Sequence, residues 1–190
     1  AYYYQQNCDR AIADFDQAIK LRPKFAKAFV GRGLAYANQR DFDGAFADFD
    51  QAIKLKPDYV DAYVGRGTAY AVKLDYDRAI ADFDKAIKLK PDRADAYGGR
   101  GMGYAAKQDY NRAIADFDQM IKLQPDCANS YCVRGFMHDR TKNYDLAIVD
   151  YTEAIKLVPN HTDAYCSRGI AYFNKHDYDL AIADFDQTIR

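Results

Sequence analysis

The sequence has no tryptophan, three histidines and a single glutamate, Glu153, beside 27 aspartates. The histidines, His138, His161 and His176, occupy unrelated positions, so they suggest no acid–base pair for catalysis. A glycine-rich phosphate loop is also missing, because Gly-x-Gly matches such as that at 31–33 follow no strand pattern. We therefore predict that the chain is not an enzyme, with no catalytic residue and no cofactor.

Long apolar runs are absent as well. No stretch approaches the roughly 18 consecutive apolar residues that are typical of a membrane-spanning helix. The first residues lack the basic, apolar and small-residue order of a signal peptide. These features predict a soluble chain without a membrane partner, and we expect it to be cytoplasmic.

Cysteine is scarce, with residues at Cys8, Cys127, Cys132 and Cys166. The spacing contains no CxxC pair, and no cysteine has a nearby pair of histidines. Zinc sites usually need such clusters, so we expect no metal site. We also expect no disulfide and four free thiols, which suit a reducing compartment.

Charge of one sign is not concentrated anywhere along the chain. The formal net charge is -1, and lysine and arginine alternate with aspartate instead of forming blocks. Because a phosphate backbone needs a basic stripe, nucleic acid is not expected as a partner. Aspartate is a poor helix former but a good N-cap and a short-armed ion-pair partner, so the aspartates are expected at helix starts and in close contacts.

The prolines define a repeat. They stand 34 residues apart throughout, at Pro23, Pro57, Pro91, Pro125 and Pro159. The text around them also recurs, and residues 60–93 match residues 94–127 at 23 of 34 positions. A constant period of this length is typical of stacked helical hairpins, because one hairpin cannot bury both of its faces.

Each period contains two amphipathic helices. In unit 26–59, Gly33 and Ala45 allow the paired helices to approach closely, while Tyr36 and Phe49 fill the core between them. Pro57 is unfavourable inside a helix, so the second helix must end just before it. A polar side chain is expected to cap the start of every second helix: Asn7, Asp41, Asp75, Asp109, Asn143 and Asp177.

This pattern resembles the tetratricopeptide repeat family over essentially the whole chain. The residues that carry it in the first complete unit are Phe29, Gly33, Tyr36, Ala45, Phe49, Ala52 and Pro57, and they recur in the following units with substitutions such as Met120 and His138. The resemblance implies an all-α fold, an α-solenoid in which hairpins form a right-handed superhelix. Its concave face would receive a peptide or a partner's helix.

The whole chain is predicted to be a single array. It comprises a partial repeat 1–25, repeats 26–59, 60–93, 94–127 and 128–161, and a truncated repeat 162–190. Ala1 and Tyr2 match the end of a first helix, and the chain stops at Arg190, before a sixth proline would appear. We therefore expect a fragment of a longer array or polypeptide.

Arginine replaces the leucine that the family places before its glycine. The positions are Arg32, Arg66, Arg100, Arg134 and Arg168. Aspartates flank the central aromatic of each second helix, as Asp48 and Asp50 flank Phe49. We expect each arginine to pair with one of them, because an unpaired buried guanidinium is costly. The alternative is that the arginines are solvated or bind an acidic ligand.

Two other departures concern single positions. His138 stands where other units have tyrosine, and we expect it to be a satisfied core residue. The turn between helices, where the family often has glycine, carries other residues here: Arg40, Leu74, Gln108, Lys142 and His176. If these turns need a positive φ, each stores strain.

The resemblance places candidate partner-binding residues on the first helices. They are Val30, Leu34, Asn38, Val64, Thr68, Val72, Met102, Ala106, Cys132, Phe136, Arg140, Cys166, Ile170 and Asn174. The lysine, asparagine and arginine clamp that some members use for acidic C-termini is absent, since the corresponding surface has Val30, Gly31, Leu34, Gly65 and Gly99. A mildly apolar groove suits an extended peptide or an amphipathic helix.

Two functions from different classes remain open. One is an interaction scaffold whose groove binds a protein or peptide ligand. The other is a structural array, an end-to-end homo-oligomer joined through apolar terminal faces, around Ile12, Phe15 and Ile19 and around Ile182, Phe185 and Ile189. Groove substitutions would remove the partner without changing assembly in the first case, and would do the reverse in the second.

Overall fold

The structure is a computed structural model that describes the backbone of residues 2–189 and the side chains of residues 7–188. In this part of the chain it contains α-helices and no strands, which confirms the predicted all-α fold. The helices are α1 Tyr2–Leu21, α2 Ala26–Asn38, α3 Phe42–Leu55, α4 Val60–Val72, α5 Tyr76–Leu89, α6 Ala94–Ala106, α7 Tyr110–Leu123, α8 Ala128–Arg140, α9 Tyr144–Leu157, α10 Thr162–Asn174 and α11 Tyr178–Ile189.

The helices form two compact units, one up to Gly99 and one from Arg100 onward, with the border inside α6. In the first unit α2 pairs with α3 and α4 with α5, while α2 also packs on α1 and on α4. In the second unit α8 pairs with α9 and α10 with α11, and α8 packs on α7 and α10. Each unit is thus a stack of antiparallel hairpins, as the solenoid fold class requires. The continuity of a single array over residues 1–190 and its right-handed superhelix stay predictions.

Every tight turn within a hairpin closes in the same way. In the turn after α2, Arg40 has φ 64° and its backbone N–H donates to the Ala37 carbonyl, while Asp41 N–H donates to the Tyr36 carbonyl. This bond pair is the Schellman motif, which places a left-handed residue just after the helix. Positive φ recurs at the four equivalent positions, Leu74, Gln108, Lys142 and His176. The prediction of strained, non-glycine turns is confirmed.

A Leu74→Gly variant is therefore expected to be more stable than the parent chain. A non-glycine residue in the left-handed region costs about 1–2 kcal/mol, whereas glycine adopts it freely but loses more chain entropy on folding. Leu74 is 70% exposed, so its removal sacrifices little buried surface. We expect a net gain of about 0.5–1 kcal/mol in urea unfolding followed by circular dichroism. Leu74→Ala is the control, and a glycine variant no more stable than this alanine variant would refute the strain.

The second helices begin with the predicted caps at three places. The carboxylate of Asp41 accepts from Gly44 N–H at 3.0 Å, and Asp75 and Asp109 accept from the equivalent N–H groups at 3.2 Å. Asn143 holds the same position, but its amide donates to Thr141 Oγ1 at 2.9 Å and makes no cap bond. The capping prediction is therefore wrong for the Asn143 side chain, because a nearby hydroxyl competes for it. Capping by the Asp177 side chain stays a prediction.

The predicted cap at Asn7 is also wrong. Helix α1 runs from Tyr2 to Leu21 without interruption, so Asn7 lies inside it. Gln5 and Gln6 are good helix formers, and a turn like the others would force a left-handed conformation at Gln6. Local preference therefore continues the helix. The prediction for Ala1 falls outside the described residues.

The core lies where neighbouring helices meet, and its aromatic members are the predicted ones. Phe49, Phe83 and Tyr151 are each at most 2% exposed. A Cβ added to Gly33 would lie only 3.2 Å from the Ala45 carbonyl oxygen. The close approach that the small residues predicted is thus present, and a larger residue at Gly33 would push the hairpin apart.

The predicted arginine–aspartate ladder is present in both units. Each arginine donates through Nε and NH2 to both oxygens of the aspartate that precedes the aromatic of its own hairpin, with N–O distances of 2.5–2.9 Å. The pairs are Arg32–Asp48, Arg66–Asp82, Arg100–Asp116, Arg134–Asp150 and Arg168–Asp184. These arginine side chains are only 16–21% exposed, so the alternative of solvated arginines is wrong.

A further bond from the same arginine reaches back to the preceding hairpin. NH1 of Arg32 donates to Asp16 at 2.5 Å, and NH1 of Arg134 donates to Asp118 at 2.7 Å. NH1 of Arg66 bonds to Asp50 in the same way. Where Thr152 replaces the aspartate, its hydroxyl accepts from Arg168 at 3.0 Å. One side chain thus fixes both the hairpin and its neighbour.

Candidate functional site

The predicted groove residues occupy equivalent positions on α2, α4, α6, α8 and α10. The large apolar ones are partly in solvent, with exposures of 45–59%: Leu34, Val72, Met102, Phe136 and Ile170. The smaller and polar ones are exposed, namely Asn38, Thr68, Ala106, Arg140, Cys166 and Asn174, while Val64 and Cys132 are half-buried. Val30 is only 5% exposed and packs in the core with Phe29 and Ala62, so any role in partner binding would come from the floor of the groove.

A cleft of about 430 Å³ lies in the first unit between α2 and α4. It brings together four of the predicted residues, Val30, Leu34, Val64 and Thr68, with Val30 in its floor. Asn38 and Val72 lie outside it. The lining is largely apolar, which suits contact with aliphatic or aromatic side chains.

Sequence reasoning missed the aromatic floor and the charged rim of this cleft. Phe15 lines it because Gly31 leaves room, since a Cβ at Gly31 would lie 2.3 Å from Phe15 Cζ. On the rim Arg93 binds Asp61 and Asp95, each at 2.6 Å, and this guanidinium lowers the pKa of Asp95. Glycine recurs at this position in three units, as Gly31, Gly65 and Gly99, and this recurrence could have indicated space for an aromatic ring.

A second cleft, of about 500 Å³, lies in the second unit between α8 and α10. Four predicted residues line it, Phe136, Arg140, Ile170 and Asn174. Met102, Ala106, Cys132 and Cys166 do not. The residues that the sequence did not indicate are Asp139, Lys142, Tyr144, Tyr151 and Ser167. This cleft is more polar than the first.

A hydrogen bond in the wall of the second cleft joins two of the missed residues. The Tyr151 hydroxyl donates to Asp139 Oδ2 at 2.7 Å, whereas Asp139 Oδ1 is buried without a partner. Burial raises the pKa of Asp139, because it disfavours the charged carboxylate. Burial and the adjacent carboxylate raise the pKa of Tyr151, so its hydroxyl remains a donor. Asp139 is therefore a buried hydrogen-bond acceptor, and one of its two carboxylate oxygens has no donor.

Comparison with known families identifies the repeat. The sequence profile of the tetratricopeptide repeat matches residues 1–60, 38–94 and 64–128, which together span well over half of the chain. A second profile, described as TPR repeat, matches residues 140–176. The chain belongs to the tetratricopeptide repeat family.

Solved tetratricopeptide proteins share this fold. A crystal structure of MamA is 27% identical over 83% of this chain and 92% of its own, with a TM-score of 0.79. The segment of MamA from residue 41 to its end, from Desulfovibrio magneticus RS-1, is 21% identical over 86% and 93%, with a TM-score of 0.81. YrrB, described as a TPR protein with an unusual peptide-binding site, is 22% identical over 92% and 90%, with a TM-score of 0.79. No curated protein sequence matches significantly.

One cysteine of this tetratricopeptide chain lies close to a histidine. Cys132 Sγ is 3.7 Å from His161 Nε2, and the same nitrogen is 3.2 Å from Asn129 Oδ1. A catalytic triad would use the two ring nitrogens for different partners. Burial also raises the pKa of Cys132 to about 11, which keeps the thiol protonated. This cluster therefore lacks an activated nucleophile.

His138 departs from the expected satisfied core residue of a tetratricopeptide hairpin. Its Nε2 lies 3.9 Å from Asp150 Oδ2, but its buried Nδ1 has no hydrogen-bond partner. Burial lowers the pKa of His138, so the ring is neutral at physiological pH. The prediction that its hydrogen bonds are satisfied is therefore wrong, because Asp150 already accepts both bonds of the Arg134 guanidinium.

The remaining site predictions concern metals, thiols and membranes. Among the described residues, no group of three His, Cys, Asp or Glu side chains is placed to hold a metal ion. The four cysteines are free thiols. Within residues 2–189, none of the helices has both the length and the apolar character needed to cross a bilayer.

Proposed function

We propose that this tetratricopeptide chain is a non-enzymatic interaction scaffold that binds an extended segment of a partner protein along its first helices. The observation that carries the proposal is the set of exposed apolar side chains at equivalent helix positions, represented by Leu34 in one cleft and Phe136 and Ile170 in the other. Large apolar groups clustered in a cleft are typical of binding surfaces.

The first cleft favours an extended segment over an acidic tail. Two cations line it, Lys27 and Arg93, and Arg93 is already neutralised by Asp61 and Asp95. The lining between these charges is small or apolar, including Gly31, Gly65 and Val64. Such a surface can hold alternate side chains of a peptide while polar rims contact its backbone. The peptide-binding site named for YrrB motivates the same test here.

The test is a selection of random twelve-residue peptides displayed on phage, followed by fluorescence polarisation with the selected sequences. Leu34→Arg and Phe136→Arg place a charge in each cleft, and we expect each to weaken peptides bound there roughly ten-fold or more. Both side chains are about half exposed, so the fold should tolerate the change. Leu21→Arg is the matched control, because Leu21 is 80% exposed and lies in neither cleft.

Sedimentation velocity of the same variants separates this proposal from self-association. The alternative is favoured by Ile182 on α11, which is 58% exposed, whereas Ile80, Ile114 and Ile148 at equivalent positions are half-buried. If the chain is a scaffold, the cleft variants should bind peptide more weakly while their sedimentation coefficient stays unchanged. Selected peptides that bind all variants equally would contradict the scaffold proposal. End-to-end association stays a prediction, and the side chain of Ile189 falls outside the described residues.

A further inference from the structure

Three polar residues of the second cleft replace apolar or small residues of the other hairpins. Where this cleft has Asp139, Tyr151 and Ser167, the preceding hairpins have alanine, phenylalanine, and glycine or valine. The equivalent sets are Ala37, Phe49 and Gly65; Ala71, Phe83 and Gly99; and Ala105, Phe117 and Val133. All four sets occupy the same positions of the 34-residue repeat. The three polar residues therefore distinguish the second cleft from the corresponding places in the preceding hairpins.

These three side chains form a connected group in the cleft wall. Tyr151, which is 1% exposed, donates to Asp139 Oδ2 at 2.7 Å, and the Ser167 hydroxyl lies beside the Tyr151 hydroxyl. A carboxylate can accept about four hydrogen bonds. Asp139 receives one from another side chain, and its Oδ1 has none. A desolvated carboxylate in this state is stabilised by a cation that supplies the missing donors.

Apolar and aromatic side chains line the same cleft as Asp139. They are Phe136 and Ile170, with exposures of 52% and 47%, and Tyr144. An unbranched aliphatic chain would contact these side chains along its length, and its end would meet the carboxylate once Asp139 turns its buried Oδ1 towards the cleft. Lysine has this shape, with an apolar stem and a compact ammonium that donates three hydrogen bonds.

Two cations, Arg140 and Lys142, also line this cleft. On α8, Arg140 donates to the Tyr110 hydroxyl at 3.3 Å, and the neutral His138 ring faces Asp150. Asp150 of α9 is held by Arg134. Lys142 lines the cleft from the turn, and α10 contributes only Ser167, Ile170 and Asn174 to the lining. Asp139 is thus the carboxylate in the lining of this cleft.

We propose that the second cleft binds the side chain of a lysine in the partner segment, with Asp139 as the acceptor of its ammonium and Phe136 and Ile170 against its stem. This inference rests on the proposed function and adds the chemistry of one recognised side chain. The first cleft has Ala37 and Ala71 at the position of Asp139 and is not expected to share the preference.

The probe for this proposal is n-butylammonium chloride, which reproduces the lysine side chain, titrated into 15N-labelled protein and followed by NMR. We expect saturable shifts at the amides of Phe136 and Ile170, with the residues of the first cleft unaffected. Asp139→Ala should weaken this binding roughly ten-fold, because a charge-assisted bond is lost. Alanine occupies the same position in three other hairpins, and Asp139→Ala/Tyr151→Phe restores their pairing as a folded control.

The pH dependence gives a second readout. Burial raises the pKa of Asp139, so the carboxyl group is neutral at low pH and binds the cation only after it ionises. The ammonium, with an ordinary pKa of about 10.4, stays charged throughout. Affinity should therefore rise as pH increases through the pKa of Asp139 and then level off. The Asp139→Ala variant should bind with a flat profile over the same range.

Neutral and anionic probes test the alternatives. Pentan-1-ol binding as tightly as butylammonium would overturn the proposal in favour of a purely apolar cleft. Tighter binding of valerate would overturn it in favour of an acidic segment held by Arg140 and Lys142. Butylammonium binding that survives Asp139→Ala would also overturn it. If selected peptides depend on Phe136 but contain no lysine whose replacement weakens them, the scaffold function stands and the lysine preference fails.

Discussion

A Phe83→Ala variant is expected to lose about 3–5 kcal/mol of unfolding free energy, the usual cost of removing a fully buried phenylalanine. Phe83 is 2% exposed and packs in a core with Tyr63, Ala79 and Ala86. A Cβ added to Gly99 would lie 2.4 Å from the Phe83 ring, so the ring also fills the space against the next helix. Its fully buried neighbours include Ala79, Ala86 and Ala96, which cannot extend into the cavity. Guanidinium unfolding followed by circular dichroism measures the loss.

Phe136→Ala is the matched control for that experiment. The same atoms are removed, but Phe136 is 52% exposed and leaves no enclosed cavity. We expect a loss of at most about 1 kcal/mol. Equal losses for the two variants would show that the stacked core contributes less than its burial indicates.

Asp48→Ala is expected to destabilise the chain by about 2–3 kcal/mol, and Asp50→Ala by about 0.2–1 kcal/mol. The two aspartates flank Phe49 on the same helix and both bind arginines. The Asp48 side chain is 6% exposed and accepts both bonds of the Arg32 fork, whereas Asp50 is 60% exposed and accepts one bond from Arg66. Removal of Asp48 leaves the largely buried guanidinium of Arg32 without its main partner, so the Asp48→Ala variant is expected to lose more stability.

Urea unfolding at low and high salt checks this difference. The Asp50 contribution should fall towards zero in high salt, because exposed pairs are screened. The Asp48 contribution should change little. An Asp50→Ala variant as destabilised as Asp48→Ala would mean that exposure does not rank these ion pairs.

Most of the fold was predictable because one backbone recurs. The spacing of Pro57 and its equivalents fixed where second helices end, and α3, α5, α7 and α9 end at the leucine two residues before the proline. The ladder was predictable for an electrostatic reason, since a buried arginine needs a partner within reach. The prediction of a cap at Asn7 was wrong because the local helix preference of Gln5 and Gln6 overrides the repeat pattern there.

The candidate site was only partly predictable. The family resemblance indicated Leu34, Thr68, Phe136 and Ile170, and the structure places all four in the lining of the clefts. It also indicated Val30, which lies in the floor of the first cleft and is 5% exposed. A repeat motif assigns positions on one helix and carries no information on what a neighbouring helix adds.

Residues contributed from other elements were the ones missed. Phe15 reaches the first cleft from α1 because Gly31 has no side chain, and Arg93 reaches it from the segment before α6. The Asp139–Tyr151 bond joins two helices. In the sequence, Asp139 and Tyr151 replace the alanine and phenylalanine of the other hairpins. The contact between the two positions is visible only in the structure.

Arg32, Arg66 and Arg134 each bind one nearly buried aspartate and one exposed aspartate. The bonds from Arg66 to Asp82 lie within one hairpin and are nearly enclosed, whereas its bond to Asp50 links that hairpin to the previous one in an open position. Dissolved ions therefore reach the joint between hairpins more readily than the hairpin itself. We expect higher ionic strength to weaken the bond between hairpins before it affects the bonds within a hairpin.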